Sequence, residues 1–421
     1  MKTHKFSYPS RSINTVLLLL IILALIIVKI PYLSLPYYWD EAWVYGSAIR
    51  AMEAAHLSLL PDALPINYSR GHPLLFHFTG ALWLRVFGTS LMASHIFALL
   101  ISVALIVSIY WFVKNIFSER AGLLACLFIV LQPIFLAQSV LVLPEIMLSL
   151  FSLLTLYFFI QKRWIGYVIT GTLALYTKET GIVAIAAAIA WQLTDILFLK
   201  RKEDVLKNKF AGLLITVSPL ALIAVFFIVQ KQVNGWYFFP EHIDFLSHDL
   251  KTFGDRLVAF SAQLFVYWGK NLLSVAIIVS LFLFFYLKHR QNNTQNKTLL
   301  ILSIYIVLFL ISSSFNFYSD RYVMSMVAPF CIIAASLIDI TFTKRVLVYL
   351  FIIAYAALQI FMYIPQKTSS DHNLGYADCV KVHQQMVNYC TENKLMDRKI
   401  FTHFLMMANL TNPYCGYISD D

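Results

Sequence analysis

Two adjacent carboxylates stand among aromatic residues in the stretch Pro36-Tyr37-Tyr38-Trp39-Asp40-Glu41-Ala42-Trp43. A carboxylate can take a proton from a hydroxyl or an amine, so this pair is a candidate for general base catalysis. The stretch follows the first apolar segment, and charged side chains beside hydrocarbon are costly enough to suggest a functional site. A structural alternative is that Asp40 is the N-cap of a helix over residues 41–56, with Glu41 favoured by the helix dipole.

Further charged residues recur at the ends of apolar segments and are candidates for the same site. They are Arg70-Gly71-His72-Pro73, Glu145, Lys178-Glu179 and Asp320-Arg321. Carboxylates here could accept protons, and the cations could hold an anionic headgroup. A structural role is the alternative for several of these residues. Lys178 and Arg321 could be snorkelling anchors, His72 a helix cap, and Glu145 one half of a structural ion pair.

The elements that must position these residues are membrane helices. Of the 421 residues 60% are hydrophobic and 13% are charged, which leaves too little polar surface for a water-soluble globule of this size. The formal charge of +10 does not indicate a nucleic-acid binder, because the basic residues form short clusters between apolar runs. Five cysteines are too few for a disulfide framework, and their spacing does not suggest a zinc site.

The hydropathy pattern predicts an all-α polytopic protein with about eleven transmembrane helices. The first runs from about Val16 to Ile30, and we interpret it as a retained span. The others fall near residues 91–113, 121–138, 144–160, 164–177, 180–198, 210–230, 262–286, 299–315, 322–341 and 346–364. The run from Pro73 to Phe87 is too short to cross, so we predict an interfacial helix with Pro73 in its first turn and Gly88 as its stop.

The distribution of basic residues over the loops supports this arrangement. With Pro73 to Phe87 not crossing, basic clusters such as Lys162-Arg163 and Lys344-Arg345 fall on the cytoplasmic side, as the positive-inside rule requires. All of the candidate site residues then share the outer face. The inner loops contain neither a Gly-rich phosphate cradle nor an Asp-x-Asp pair for a nucleotide sugar, so we expect the chemistry on the outer side.

Two regions are predicted: residues 1–364 form the membrane domain, including an outer loop at 36–90 with interfacial helices, and residues 365–421 form a small soluble outer-face tail. In the tail, the segment from Tyr376 to Cys390 has the spacing of an amphipathic helix, and the segment from Lys399 to Met407 is a candidate strand.

Three motifs in order resemble the GT-C glycosyltransferases. They are Trp39-Asp40-Glu41-Ala42 after the first span, Gly71-His72-Pro73-Leu74 opening a helix that ends Trp83-Leu84-Arg85-Val86-Phe87-Gly88, and Tyr176-Thr177-Lys178-Glu179-Thr180. The match is to the protein O-mannosyltransferase and lipid A aminoarabinose transferase group, often called family 39. It covers residues 14–200 well and Asp320-Arg321-Tyr322 more loosely. One departure is Pro73-Leu74, where relatives usually have two prolines.

The resemblance implies an inverting transferase that uses a polyprenyl-phosphate sugar, with Asp40 as the base and Glu145 as the second acidic residue. His72 stands where relatives place a residue beside the donor phosphate or a metal. A donor of this kind carries its own leaving group, so the enzyme needs a base, stabilisation of an anion and orientation. Glu41 completes the predicted catalytic set, and Arg70, Lys178 and Arg321 join His72 as predicted phosphate ligands.

No cofactor is predicted with certainty; a divalent metal held by Glu41 or His72 is left open. The predicted partners are the donor, membrane lipids and a lipid, glycan or protein acceptor with a hydroxyl or an amine, in a bacterial inner membrane with the site facing the periplasm or exterior. The alternative is a transporter or flippase of lipid-linked sugars. It is disfavoured because the charged residues cluster at one face and the sequence contains no internal repeat.

Overall fold

The computed structural model describes residues 10–197, 203–247, 249–286, 292–342, 344–363, 369–402 and 404–418. Within these residues the chain is helical, with turns and loops but no β-strand. This confirms the predicted all-α class.

Fifteen longer helices can be followed along the described chain. Their bounds are Ser10–Lys29, Gly46–Ala54, Leu75–Phe87, Leu91–Ile116, Glu119–Val130, Glu145–Ile160, Trp164–Thr177, Ile182–Leu197, Glu203–Asn234, Leu250–Phe265, Lys270–Tyr286, Asn293–Ser314, Met324–Thr341, Arg345–Tyr363 and Tyr376–Glu392. Shorter helices lie at Ile66–Ser69, Pro133–Gln138, Pro240–Asp244 and Phe404–Thr411, and single turns of 3₁₀-helix lie at Ile30–Tyr32, Pro61–Ala63, Glu179–Gly181, Asp320–Val323 and Pro413–Cys415.

Every predicted span overlaps at least one helix in the described residues. Seven helices are long and apolar enough to cross a membrane singly, or eight if the bent pair Leu250–Phe265 and Lys270–Tyr286 is counted as one span. The remaining predicted spans correspond to the shorter helices within 119–138, 145–160 and 164–177. Length and composition therefore make the chain an integral membrane protein.

Two predicted continuous spans are broken. The span predicted at 121–138 is interrupted after Val130 and resumes at Pro133, whose missing amide hydrogen suits the first turn of a helix. The span predicted at 262–286 bends by 82°. At that bend Trp268 and Gly269 both have positive φ, of 58° and 72°, which a continuous α-helix does not allow.

The outer loop after the first span folds into short helices. A π-helical turn at Glu41–Tyr45 leads into Gly46–Ala54, so the helix predicted over 41–56 is present but ends two residues early. Helix Leu75–Phe87 is about 20 Å long at 1.5 Å per residue, too short to cross hydrocarbon. Its start corrects one expectation, because Pro73 precedes the helix; Gly88, with φ of 90°, ends it as predicted.

The tail packs onto this outer loop. The Tyr37 amide donates to the Cys415 carbonyl at 3.0 Å, and the Tyr417 hydroxyl donates to the Tyr37 carbonyl at 3.1 Å. The ring of Phe404 meets Trp43 edge-on, with centroids 4.9 Å apart. The loop and the tail consequently share one buried apolar cluster, which is separate from the main core of the helix bundle.

One prediction for the tail is confirmed and one is wrong. The amphipathic pattern from Tyr376 corresponds to helix Tyr376–Glu392. The candidate strand from Lys399 to Met407 is not formed: residues 399–402 are irregular and Phe404–Thr411 is helical. A lone strand has no partner for its backbone groups, whereas a helix satisfies them within the segment.

Candidate active site

A cavity of about 870 Å³ opens where the ends of several helices meet the outer loop and the tail. Its walls come from the first outer loop, the start of helix Glu145–Ile160, the turn at 178–180, the loop at 238–246, the turn at 316–322 and tail residues 369–371. Six of the seven predicted site residues line it: Asp40, Arg70, His72, Glu145, Lys178 and Arg321. Residues that are distant in the sequence are thereby brought to one place.

Arg321 is the central cation of this site. Its Nη2 lies 2.5 Å from Asp40 Oδ2, its Nη1 donates to Asp371 Oδ2 at 3.0 Å, and its Nε lies 3.4 Å from Glu145 Oε1. The side chain is only 8% exposed, so the guanidinium is held by three carboxylates with little help from water. A snorkelling anchor would extend its charge into water, and that alternative is therefore wrong for Arg321.

Lys178 forms the second buried ion pair. Its Nζ donates to Glu145 Oε1 at 3.0 Å and lies 4.3 Å from the centre of the Tyr322 ring. Burial alone would lower the pKa of Lys178, but the neighbouring Glu145 outweighs burial and the pKa is raised. Lys178 is thus a fixed cation in the cavity wall and not a surface anchor. The second oxygen of Glu145, Oε2, has no hydrogen-bond partner among the described residues.

The Asp40 side chain lines the cavity and does not cap the helix that follows it. It occupies the N-cap position, yet its side chain makes no capping hydrogen bond. Instead Oδ1 accepts from the Trp43 indole at 3.1 Å while Oδ2 faces Arg321. The N-cap interpretation of Asp40 is therefore wrong, because the carboxylate is turned toward the cavity and not toward the helix amides.

Glu41 points away from the cavity into the protein. Its side chain is 1% exposed and accepts from the backbone amides of Tyr38, at 2.9 Å, and Val142, at 2.6 Å. His95 Nε2 lies 3.3 Å from the same carboxylate. These contacts tie the outer loop to the segment before helix Glu145–Ile160, so Glu41 supports the architecture around Asp40 and does not line the site.

His72 and Arg70 lie at another wall of the cavity. His72 Nδ1 donates to Glu179 at 2.9 Å, and its ring is tilted by 35° against that of His242, with centroids 4.8 Å apart. His72 therefore pairs with a carboxylate and does not cap the following helix. Arg70 Nη2 donates to Glu241 at 2.7 Å. Burial, and then the neighbouring His72, lower the pKa of His242 to about 4, so its imidazole is neutral at pH 7.

The two residues that the sequence suggests as metal ligands, Glu41 and His72, lie in different environments. Glu41 binds backbone amides inside the protein, and His72 binds Glu179 at the cavity wall. Across the part of the chain that the structure describes, no group of three or more His, Cys, Asp or Glu side chains is arranged to hold a metal ion.

Sequence reasoning missed Asp371 and His242. Asp371 binds Arg321 directly, and His242 packs on His72. A signal for the first was present in the polar run Ser369-Ser370-Asp371-His372, which follows the last predicted span on the same face as the other candidates. His242 lies in a loop that carries no motif, and its place beside His72 depends on folding of the distant outer loop.

Comparison with known families agrees with these motifs. Residues 71–238 match the family described as dolichyl-phosphate-mannose-protein mannosyltransferase. An uncharacterized protein of Aquifex aeolicus (strain VF5) is 24% identical to this chain, and the alignment covers 76% of this chain. The chain spans 65% of the length of that relative.

Solved structures show the same architecture. ArnT from Cupriavidus metallidurans in the apo state has a TM-score of 0.61 at 14% identity, covering 89% of this chain and 69% of that one. ArnT bound to undecaprenyl phosphate has a TM-score of 0.57 at 13% identity, covering 95% and 75%. The Archaeoglobus fulgidus oligosaccharyltransferase in the apo form has a TM-score of 0.54 at 14% identity, covering 94% and 62%.

The chain therefore has the polytopic GT-C fold. The resemblance to GT-C glycosyltransferases of the family 39 type that the motifs predict is confirmed, and the matched residues 71–238 include His72 and Lys178.

Proposed function

We propose that this protein is a membrane glycosyltransferase that moves a sugar from a polyprenyl-phosphate donor to a hydroxyl or amine acceptor. The observation that carries the proposal is the ion-pair cluster in the cavity wall. Asp40 and Glu145 share Arg321, Glu145 also binds Lys178, and all four side chains line the same space. Proton acceptors and phosphate-binding cations thus stand side by side, as a phosphate-linked donor requires.

In the proposed reaction Asp40 removes the proton from the acceptor group. The acceptor oxygen or nitrogen then forms a bond to the anomeric carbon of the sugar, and the bond from that carbon to the phosphate oxygen breaks. The electron pair leaves with the phosphate, giving polyprenyl phosphate as the second product. A single displacement of this kind inverts the anomeric configuration.

The cations stabilise charge that develops on the leaving phosphate. Lys178 and Arg321 are already buried and fixed in place, so little reorganisation is needed when the phosphate oxygen gains charge. Arg70 and His72 line another wall of the cavity and are proposed to bind the phosphate there. Glu145 holds the two buried cations in position, which assigns it an orienting role beside the proposed base.

The hydrophobic setting suits a lipid donor. The cavity is bordered by apolar side chains of the loop after helix Glu203–Asn234, including Phe238 and Phe245, and these are exposed at its mouth. We propose that the cavity faces the periplasm or exterior of a bacterial inner membrane, because this orientation leaves the basic loops on the cytoplasmic side. The acceptor is a lipid, glycan or protein.

The lipid that co-purifies with the protein tests this function. Mass spectrometry of the detergent-purified chain is expected to find a polyprenyl phosphate or its sugar derivative. Lys178→Met should reduce the amount, whereas Lys251→Met, at an exposed position outside the cavity, should leave it unchanged. A purified protein that neither carries nor cleaves a polyprenyl-phosphate sugar, yet moves one across vesicles, would contradict the transferase and favour a flippase.

A further inference from the structure

The cavity carries more negative than positive charge. Its charged lining consists of three cations, Arg70, Lys178 and Arg321, and five carboxylates, Asp40, Glu145, Glu179, Asp320 and Asp371. A site that binds a phosphate would be expected to have the opposite balance, since anions are stabilised by surplus cations. The excess of carboxylates needs a physical explanation.

Glu179 and Asp320 pair with His72 and His372. Among the three carboxylates that contact Arg321, Asp371 is the one without a cation of its own. Lys178 neutralises Glu145, and Arg321 makes its shortest contact with Asp40. Asp371 shares that same guanidinium through Nη1 at 3.0 Å, and its other oxygen contacts the Ser370 hydroxyl at 3.3 Å. Three carboxylates and two cations thus form one buried cluster with a formal charge of −1.

The burial of Asp371 supports this description. Burial raises the pKa of Asp371, Arg321 acts in the opposite direction, and the neighbouring Asp40 and Glu145 raise it further. The negative charge of Asp371 is therefore unfavourable where it stands. Such a residue contributes little to local stability, and a charge of this kind is more readily explained by an effect on a bound anion.

The donor and the lipid product differ in charge. A polyprenyl-phosphate sugar is a phosphodiester with one negative charge. The polyprenyl phosphate left after transfer is a monoester, which carries about −1.5 to −2 near pH 7 because its second pKa is about 6. A surplus negative charge in the wall repels the product more than the donor.

We propose that Asp371 discriminates between donor and product, its carboxylate on Arg321 weakening the binding of polyprenyl phosphate and so promoting product release. This inference rests on the proposed function. It places the tail in the active site, since the discriminating residue belongs to a segment outside the membrane helices.

Binding of two lipid probes to the purified full chain tests the inference. The probes are a polyprenyl phosphate and its methyl diester with the same prenyl chain, titrated at pH 8 so that the monoester is doubly charged. In Asp371→Asn, which keeps the shape and an acceptor for Arg321, the monoester should bind at least about tenfold tighter and the diester should change less. Inhibition of turnover by added polyprenyl phosphate should strengthen in parallel.

Control variants separate charge from structure. Asp371→Glu keeps the charge and should retain the preference of the parent. Asp378→Asn removes an exposed carboxylate of the same tail, which pairs with Lys381 at 3.5 Å, and should change neither affinity. Asp371→Ser provides a second neutral variant if the amide lowers the melting temperature sharply.

The outcomes are distinguishable. Unchanged or weaker binding of the monoester by both neutral variants would overturn the inference and leave Asp371 as a structural anchor for Arg321. If the parent bound neither probe, the proposed function itself would fail, and the inference with it.

Discussion

At the scale of single residues, Arg321 decides how the site is held together. Its guanidinium joins Asp40 from the first outer loop, Glu145 from a helix start and Asp371 from the tail. Three parts of the chain therefore meet at one side chain. A planar guanidinium can donate hydrogen bonds to several carboxylates at fixed angles, which the ammonium group of a lysine does less well.

Arg321 and Lys178 should differ sharply when each is replaced by Met. Arg321→Met leaves the buried Asp371 and the half-buried Asp40 without this counter-charge, which should cost about 3–5 kcal/mol of stability. Lys178→Met leaves Glu145 beside Arg321, so its stability cost should be about 1–3 kcal/mol. Thermal melting of the two purified variants measures the difference. Equal melting temperatures for both variants and the parent would show that the cluster is not a structural unit.

The candidate site was largely predictable from residue types, but its contacts were not. Asp40, Glu145, Lys178 and Arg321 stood out because charged residues at the ends of apolar segments are costly unless they serve a purpose. Which carboxylate meets which cation depends on how the helices pack. The same limit explains why Glu41, identical in kind to its neighbour Asp40, turned out to face the interior.

At the scale of elements, the bend between helices Leu250–Phe265 and Lys270–Tyr286 is the clearest departure from the hydropathy pattern. Apolar residues continue through the break, so the pattern predicts one span. The bend depends on backbone geometry at Gly269, and on the Gln359 amide, which donates to the Trp268 carbonyl at 3.0 Å. The hydropathy pattern predicts neither the backbone conformation at Gly269 nor this hydrogen bond.

Two glycines in this helix pair should respond oppositely to Ala. At Gly269, φ is 72° and an added Cβ would lie 2.5 Å from Gln359 Nε2, so Gly269→Ala should destabilise the protein by about 1–2 kcal/mol or more. At Gly254 an added Cβ meets nothing within 4 Å, and Ala should stabilise the helix by about 1 kcal/mol. Melting curves of both variants measure this; a stable Gly269→Ala protein would contradict the bend.

At the scale of the whole molecule, the tail and the outer loop cover the site together. The tail contacts the outer loop through Tyr37 and Trp43 on either side of Asp40, and it reaches Arg321 through Asp371. Composition predicted the membrane domain and a separate tail. Docking of the tail was not predictable, since it depends on single hydrogen bonds and ring contacts between segments more than 300 residues apart.

The proposed orientation of the whole chain rests on the distribution of basic residues over its loops and can be measured. A reporter that is active only outside the cytoplasm should be active when fused after Gly88. The same reporter fused after Arg163 should be silent, because that basic cluster is expected to stay inside. Activity after Arg163 together with silence after Gly88 would reverse the proposed orientation and place the cavity on the cytoplasmic side.

The central claim is that Asp40 is the base of a transferase that uses a polyprenyl-phosphate sugar. The most direct measurement is the rate of polyprenyl phosphate release from such a donor by the parent, by Asp40→Asn and by Asp62→Asn, an exposed carboxylate of the same loop. Asn preserves the bond to Trp43 but takes no proton, so the rate should fall about 10²- to 10⁴-fold while the melting temperature stays close to that of the parent. Asp62→Asn should match the parent. Full activity of a well-folded Asp40→Asn protein would contradict the claim.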